Sequence, residues 1–91
     1  MNTLKLIISS PDGEILSCEV LKIMLRGANG DLAIMAGHTP FITTAKKGVC
    51  KITFADSTEK TAEIDGGLLT AEKEKVVLLT GTFKWKTDSL A

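Results

Sequence analysis

The sequence predicts an all-β fold, a flattened two-sheet β-sandwich or barrel of about ten short strands. Threonine, isoleucine and valine together account for 23 of the 91 residues. These β-branched side chains favour the pleated, half-buried surface of a sheet. Turn signals recur roughly every 6–12 residues, which is the spacing typical of sandwiches and barrels. No apolar stripe with helical spacing is long enough to compete with this pattern.

The first strand is predicted at residues 4–9, because Leu4, Leu6 and Ile8 alternate with more polar neighbours and would share the buried face. A turn follows at residues 10–13, where proline presets φ and glycine accepts a positive φ.

The second apolar run, residues 14–25, changes parity in its middle. Val20 and Leu21 are adjacent and cannot both point inward from a regular strand. A β-bulge or a bend is therefore expected between them.

The later strands are shorter, and each is bounded by a turn rich in glycine, aspartate, proline or lysine. Pro40 cannot donate to a ladder and marks a break before the fourth run. The glycines of Asp65-Gly66-Gly67 fit either a backbone anion site or, as we favour, a strand end where two backbones approach closely. These strands are predicted at residues 32–35, 41–45, 49–55, 61–64, 68–71 and 75–80.

One domain is expected over residues 1–81, followed by a short C-terminal tail at residues 82–91. The tail is polar apart from three side chains, so we expect it to be loosely attached or to begin a helical turn.

The charge balance excludes several classes of partner. Eleven basic residues face eleven acidic ones, so the chain lacks the basic field that nucleic acids or anionic membranes require. No apolar run approaches the 18 residues of a membrane span, so direct membrane insertion is not expected.

The residues that carry chemistry are few, and we expect no catalytic residue, no metal site and no cofactor. His38 is the only histidine, and the two cysteines, Cys18 and Cys50, are 32 positions apart and fit reduced core thiols. The loop at Gly27 and Gly30 lacks the Gly-Lys-Ser/Thr ending of a phosphate-binding loop. The residues alone therefore indicate a non-enzymatic β domain that binds another protein, with the apolar segment 32–42 as a contact surface.

That segment carries a family resemblance. Residues 30–43 read Gly-Asp-Leu-Ala-Ile-Met-Ala-Gly-His-Thr-Pro-Phe-Ile-Thr, which resembles the signature of the epsilon subunit of F-type ATP synthase. The Gly-His-x-Pro centre is intact at Gly37, His38 and Pro40, while Ala33, Ala36, Thr39 and Lys47 depart from the usual family residues. The glycine pair at residues 66–67 and the closing strand at 76–79 look like the family's corner and last strand, so the resemblance covers residues 4–80.

The resemblance implies a non-catalytic rotor subunit on the central stalk, peripheral to the cytoplasmic face of the cell membrane. Its implied partners are the gamma subunit and the c-ring, and its implied task is to help couple ion translocation to ATP synthesis. Family members commonly continue into two antiparallel helices. Since this sequence ends at Ala91, we expect a short form without that hairpin, either natural or a sandwich domain alone.

The resemblance also implies two contact regions. The loop at Asn29, Gly30 and Asp31 matches the end that faces the c-ring, where an acidic side chain can meet basic loop residues. The stretch that matches the region near gamma is His38, Thr39, Pro40, Phe41, Ile42 and Thr43.

Other interpretations remain open for these residues and for the chain. Asp31 could be only a turn residue, and Phe41 and Ile42 could be plain core. The alternative function is a stand-alone β-sandwich adaptor with no link to a rotary motor, and an enzyme is the third and most distant possibility.

Overall fold

A computed structural model describes residues 2–86, and it contains nine β-strands. The described residues include no helix, and so none that is long and apolar enough to cross a membrane. The strands are β1 (Leu4–Ser10), β2 (Gly13–Gly27), β3 (Gly30–Met35), β4 (Phe41–Ala45), β5 (Gly48–Phe54), β6 (Glu59–Ile64), β7 (Gly67–Glu72), β8 (Lys75–Thr80) and β9 (Phe83–Trp85).

Strand β2 is 15 residues long and belongs to both layers of the sandwich. Its N-terminal half pairs antiparallel with β1, whereas its C-terminal half lies between β3 and β5. Sheet I therefore has the order β2–β1–β8–β7–β4, and sheet II has the order β3–β2–β5–β6–β9. Because β2 is used twice, nine strands fill ten positions, and the predicted sandwich of about ten strands is confirmed.

The predicted irregularity in β2 is also present. Val20 faces Phe54 of β5 while Lys22 faces Thr53, so Leu21 is the extra residue of a bulge. This bulge lies where β2 passes from sheet I to sheet II. The far end of the strand reaches β4, the opposite edge of sheet I, through the pair Gly27 and Ala45.

The core lies between the sheets and takes side chains from both. Its buried side chains include seven at alternating positions of their strands, while Leu16 is only partly buried. Cys50 is a buried free thiol whose pKa burial raises to about 12, and Cys18 is a half-buried one. The buried seven are Leu6, Ile8, Ile23, Leu25, Ile52, Ile64 and Leu78.

Residues 83–85 differ from the expectation of a loose tail or a helical turn. They form β9, which pairs antiparallel with β6. Phe83 packs against the core, and its ring meets the edge of Trp85 at 4.9 Å between centroids. A three-residue strand is too short to show a period of two, so only packing reveals it. Residues 87–91 of the expected tail lie outside the described residues.

Candidate functional site

The first predicted contact region lies at the tip of the β2–β3 hairpin. Gly27 pairs with Gly30, and Ala28 and Asn29 form the two-residue turn between them. Gly30 adopts φ +124°, which favours glycine at this position. The turn therefore presents Asn29 and Asp31 on the surface.

Asp31 is not an isolated acid, because it faces Arg26 across the hairpin. The Arg26 Nε atom donates to Asp31 Oδ1 at 3.1 Å. Both side chains remain largely exposed, at 63% for Arg26 and 74% for Asp31. An exposed pair of this kind contributes about 0–1 kcal/mol, so either side chain can change partner at small cost.

A shallow concavity of about 410 Å³, here named the hairpin groove, lies beside this ion pair. It is formed by β2, β3, β5 and the turn that precedes β5. Its lining includes the cationic side chains of Arg26, Lys47 and Lys51, the acid Asp31, and the apolar side chains of Met24, Leu32 and Val49.

The second predicted region is the loop between β3 and β4. The Gly37 amide donates to the Lys73 carbonyl at 2.7 Å, which fastens the loop to the β7–β8 turn. His38 Nδ1 donates to the Thr39 carbonyl at 2.6 Å, and the His38 ring packs on Phe41 with centroids 4.9 Å apart. These contacts give His38 a local role in shaping the loop.

Phe41 and Ile42 lie on opposite faces of β4. Phe41 is half-buried and packs against the core, as one interpretation of the sequence proposed. Ile42 is 68% exposed, so its interpretation as a core residue is wrong. Pro40 and Thr39 are exposed and Thr43 is half-buried.

The two predicted regions do not come together. They occupy opposite ends of β3, a strand of six residues, which corresponds to about 20 Å. The protein therefore offers two separate contact regions on one rigid scaffold.

The structure also has a larger exposed apolar surface that was not predicted from the sequence. The outer face of sheet I carries five partly or largely exposed aliphatic side chains, here named the apolar face: Ile7, Ile42, Leu68, Val77 and Leu79. Register makes them neighbours, since Val77 lies beside Ile7 on β1 and Leu79 lies beside Leu68 on β7. Consecutive apolar residues, such as Leu68-Leu69 and Val76 to Leu79, were the available signal, because such runs are typical of strands whose two faces are both covered.

The corner after β6 shows the predicted close approach of backbones. A Cβ atom built at Gly67 would overlap the carbonyl oxygen of Leu79 on the neighbouring strand. Beside it, Asp65 Oδ1 accepts hydrogen bonds from Thr80 Oγ1 at 3.1 Å and from the Thr82 amide at 3.2 Å. These hydrogen bonds, that of Thr80 first, lower the pKa of Asp65. The corner is thereby held to both β8 and the segment that leads into β9.

Within residues 2–86, no group of three or more His, Cys, Asp or Glu side chains is arranged to hold a metal ion.

The sequence of the chain matches a known protein family and a characterised relative. Residues 3–86 match the family described as ATP synthase, Delta/Epsilon chain, beta-sandwich domain. The chain is also 34% identical over 86 residues to the sodium-ion-specific ATP synthase epsilon chain of Acetobacterium woodii. This match covers 94% of the chain and 65% of the relative, so the chain spans slightly less than two thirds of that relative's length.

Solved structures show the same fold at low identity. A chain of the Euglena gracilis mitochondrial ATP synthase, in an OSCP/F1/c-ring structure, superposes with a TM-score of 0.87 at 20% identity, over 93% of this chain and 54% of that one. A chain of the Tetrahymena thermophila central stalk and c-ring gives 0.73 at 14% identity, over 88% and 64%. With a family match that spans nearly all its residues, the chain belongs to the delta/epsilon β-sandwich family of ATP synthase subunits.

Proposed function

We propose that the protein is a non-catalytic central-stalk subunit of an F-type ATP synthase. In this role it links the gamma subunit to the c-ring and helps couple ion translocation to ATP synthesis. The family match over residues 3–86 is the observation that carries the proposal. Such a subunit lies at the periphery of the membrane, on its cytoplasmic face, and needs no reactive group of its own.

The apolar face is the surface that we assign to gamma. Exposed aliphatic side chains that lie together on one face of a sheet mark a protein contact. Ile42 belongs both to this face and to the predicted stretch from His38 to Thr43, which joins the two into one surface. The loop anchored on Lys73 would form the border of this contact.

The hairpin tip with Asn29, Gly30 and Asp31 is the surface that we assign to the c-ring. It lies at the other end of β3 from the His38 loop, so the two partners would bind without overlap. Between them lies a packed core, and close-packed interiors deform little and transmit strain. This arrangement suits a subunit that must pass torque between two partners.

A stand-alone adaptor would use the same apolar face, so co-purification is the experiment that separates the two functions. We expect the protein to bind the ATP synthase of its own organism after that enzyme has been stripped of this subunit. It should co-purify with gamma and the c-ring and restore ATP-driven ion pumping.

The matched variants are Ile42→Glu on the apolar face and Glu63→Lys on the exposed face of sheet II. Ile42→Glu should lose binding to gamma, whereas Glu63→Lys should bind like the wild type. If the wild-type protein neither co-purifies with these subunits nor restores pumping, the central-stalk function is wrong and the adaptor becomes the better interpretation.

A further inference from the structure

The hairpin groove has the opposite charge to the one that Asp31 alone suggests. We infer that this groove receives a carboxylate-bearing loop of the c-ring, the partner assigned to the adjacent hairpin tip, so that the contact is cationic on this protein and acidic on the c-ring. The inference rests on the proposed function and adds the chemistry of the contact.

The charges of the groove carry the first step. Three cationic side chains and one acid line it, an excess of two positive charges. Asp31 is bound to Arg26, and Lys51 Nζ lies 3.8 Å from Glu59 Oε1. Among residues 2–86, Lys47 has no carboxylate oxygen within 4.0 Å. The groove therefore already satisfies its own acid and leaves a cation available.

The position of that cation is fixed by the backbone. The Lys46 amide donates to the Arg26 carbonyl at 2.8 Å, which holds the β4–β5 turn beside β2 and keeps Lys47 at the groove. Asp65 is the carboxylate of the adjacent corner. Its Oδ1 atom accepts hydrogen bonds from Thr80 and Thr82, and it does not lie within 4.0 Å of the Lys47 ammonium group.

The floor of the groove decides which kind of anion fits. Met24 and Leu32 are half-buried and Val49 is 47% exposed, so the cations border an apolar surface. A polypeptide loop can place an aliphatic side chain on this floor and a carboxylate against Lys47. A phosphate group would need several donors at once and would leave the apolar floor of the groove uncovered. We therefore favour an acidic loop over a lipid headgroup.

The experiment uses the gamma and c-ring complex of the same organism, immobilised without this subunit and titrated with purified protein. Lys47→Glu should weaken binding by about tenfold or more, because charge reversal places two like charges in contact. Asp31→Asn should bind more tightly, since it removes the only acid among the described residues that line the groove. The control is Lys84→Glu, which reverses an exposed lysine on β9, outside the groove, and should leave the affinity unchanged.

Four outcomes would overturn the inference. Lys47→Glu could bind like the wild type, or Lys84→Glu could weaken binding as much as Lys47→Glu, which indicates only long-range attraction. Weaker binding by Asp31→Asn alone would assign a basic loop to the partner. Binding of the wild type to phosphatidylglycerol vesicles that Lys47→Glu abolishes would assign the groove to a membrane. If the wild type fails to bind the rotor at all, the proposed function fails together with this inference, whereas each of the four outcomes leaves that function intact.

Discussion

The two outer faces of the sandwich differ in how their exposed apolar side chains are distributed, although their inner faces are alike. On sheet II the outward positions mix charged and apolar side chains: Lys51 and Glu63 alternate with buried neighbours, and Val49 is 47% exposed. On sheet I the outward positions of β7 and β8 include Leu68 and Leu79, which are 42% and 48% exposed. Folding requires only the inner faces to be apolar, so the additional apolar face of sheet I indicates a contact with another protein.

The largest expected effect comes from adding a side chain at Gly67, where the backbones of β7 and β8 approach closely. Gly67→Ala would push a methyl group into the Leu79 carbonyl oxygen, and backbone atoms cannot move aside cheaply. We expect a loss of more than about 4 kcal/mol in the free energy of unfolding, or no folded protein. Chemical denaturation measures it.

Gly13→Ala is the control for this substitution, since Gly13 has φ +127° and a methyl group added there would meet no atom within 4 Å. It should cost only the strain of the backbone, about 1–2 kcal/mol. Equal losses in the two variants would show that conformation, and not overlap, is the reason for glycine at position 67.

The next effect distinguishes the two faces of a single strand. Leu78 is fully buried while its neighbour Leu79 is 48% exposed. Leu78→Ala should lower the free energy of unfolding by about 2–5 kcal/mol, because it leaves a cavity in the core. Leu79→Ala should cost less than about 1 kcal/mol. Thermal unfolding of both variants tests this contrast, and a similar loss in both would remove the distinction between core and contact face.

Leu79→Glu is expected to act on association and not on folding. A charge in the middle of an apolar contact should cost about 2 kcal/mol or more of binding to gamma, while the melting temperature changes by a few degrees at most. Glu63→Lys on the exposed face of sheet II is the control for this variant and should bind gamma like the wild type. Titration of gamma with each variant gives the result, and unimpaired binding by Leu79→Glu would exclude the apolar face as the gamma surface.

The smallest effect concerns the corner where the two sheets are joined through Asp65. Its pKa is lowered in the folded protein, so its contribution to stability is present above the ordinary value of 3.8 and is lost as the pH falls through the folded pKa. Asp65→Asn should therefore melt below the wild type at neutral pH, and the difference should shrink as the pH falls below that ordinary value. The matched comparison is Asp56→Asn, because a hydrogen bond from Thr58 likewise lowers the pKa of the Asp56 carboxyl. A difference that stays constant with pH would contradict the assignment to ionised Asp65.

Local alternation and turn chemistry account for the features that the sequence predicts correctly. The bulge at Leu21 and the close approach at Gly67 were both expected from adjacent residues, and both are present. The bulge follows from two adjacent apolar residues that cannot both face the core, and the close approach follows from a pair of glycines. Both signals are visible in the sequence without knowing the partner strand.

The remaining features depend on contacts between distant residues. The pairing of Asp31 with Arg26 requires the hairpin register, and the apolar face requires the order β1–β8–β7–β4, in which β1 and β8 are parallel neighbours far apart in sequence. Strand β9 is likewise defined by its partner β6 and not by its own three residues. The sequence thus indicated two loops as contact regions, and this stays a prediction, but it could not indicate the ion pair beside one or the apolar face beside the other.

The use of β2 in both sheets has a mechanical consequence. In a sandwich whose layers are joined only by loops, the layers meet at a plane of side-chain contacts along which they can slide. Here one continuous strand crosses that plane, turning at Leu21 and ending beside the far edge of sheet I at Ala45. Sliding one layer over the other would have to break ladder hydrogen bonds on both sides of the bulge at once. The domain therefore has no easy shear plane, and a load applied to either face is shared by the backbone of both.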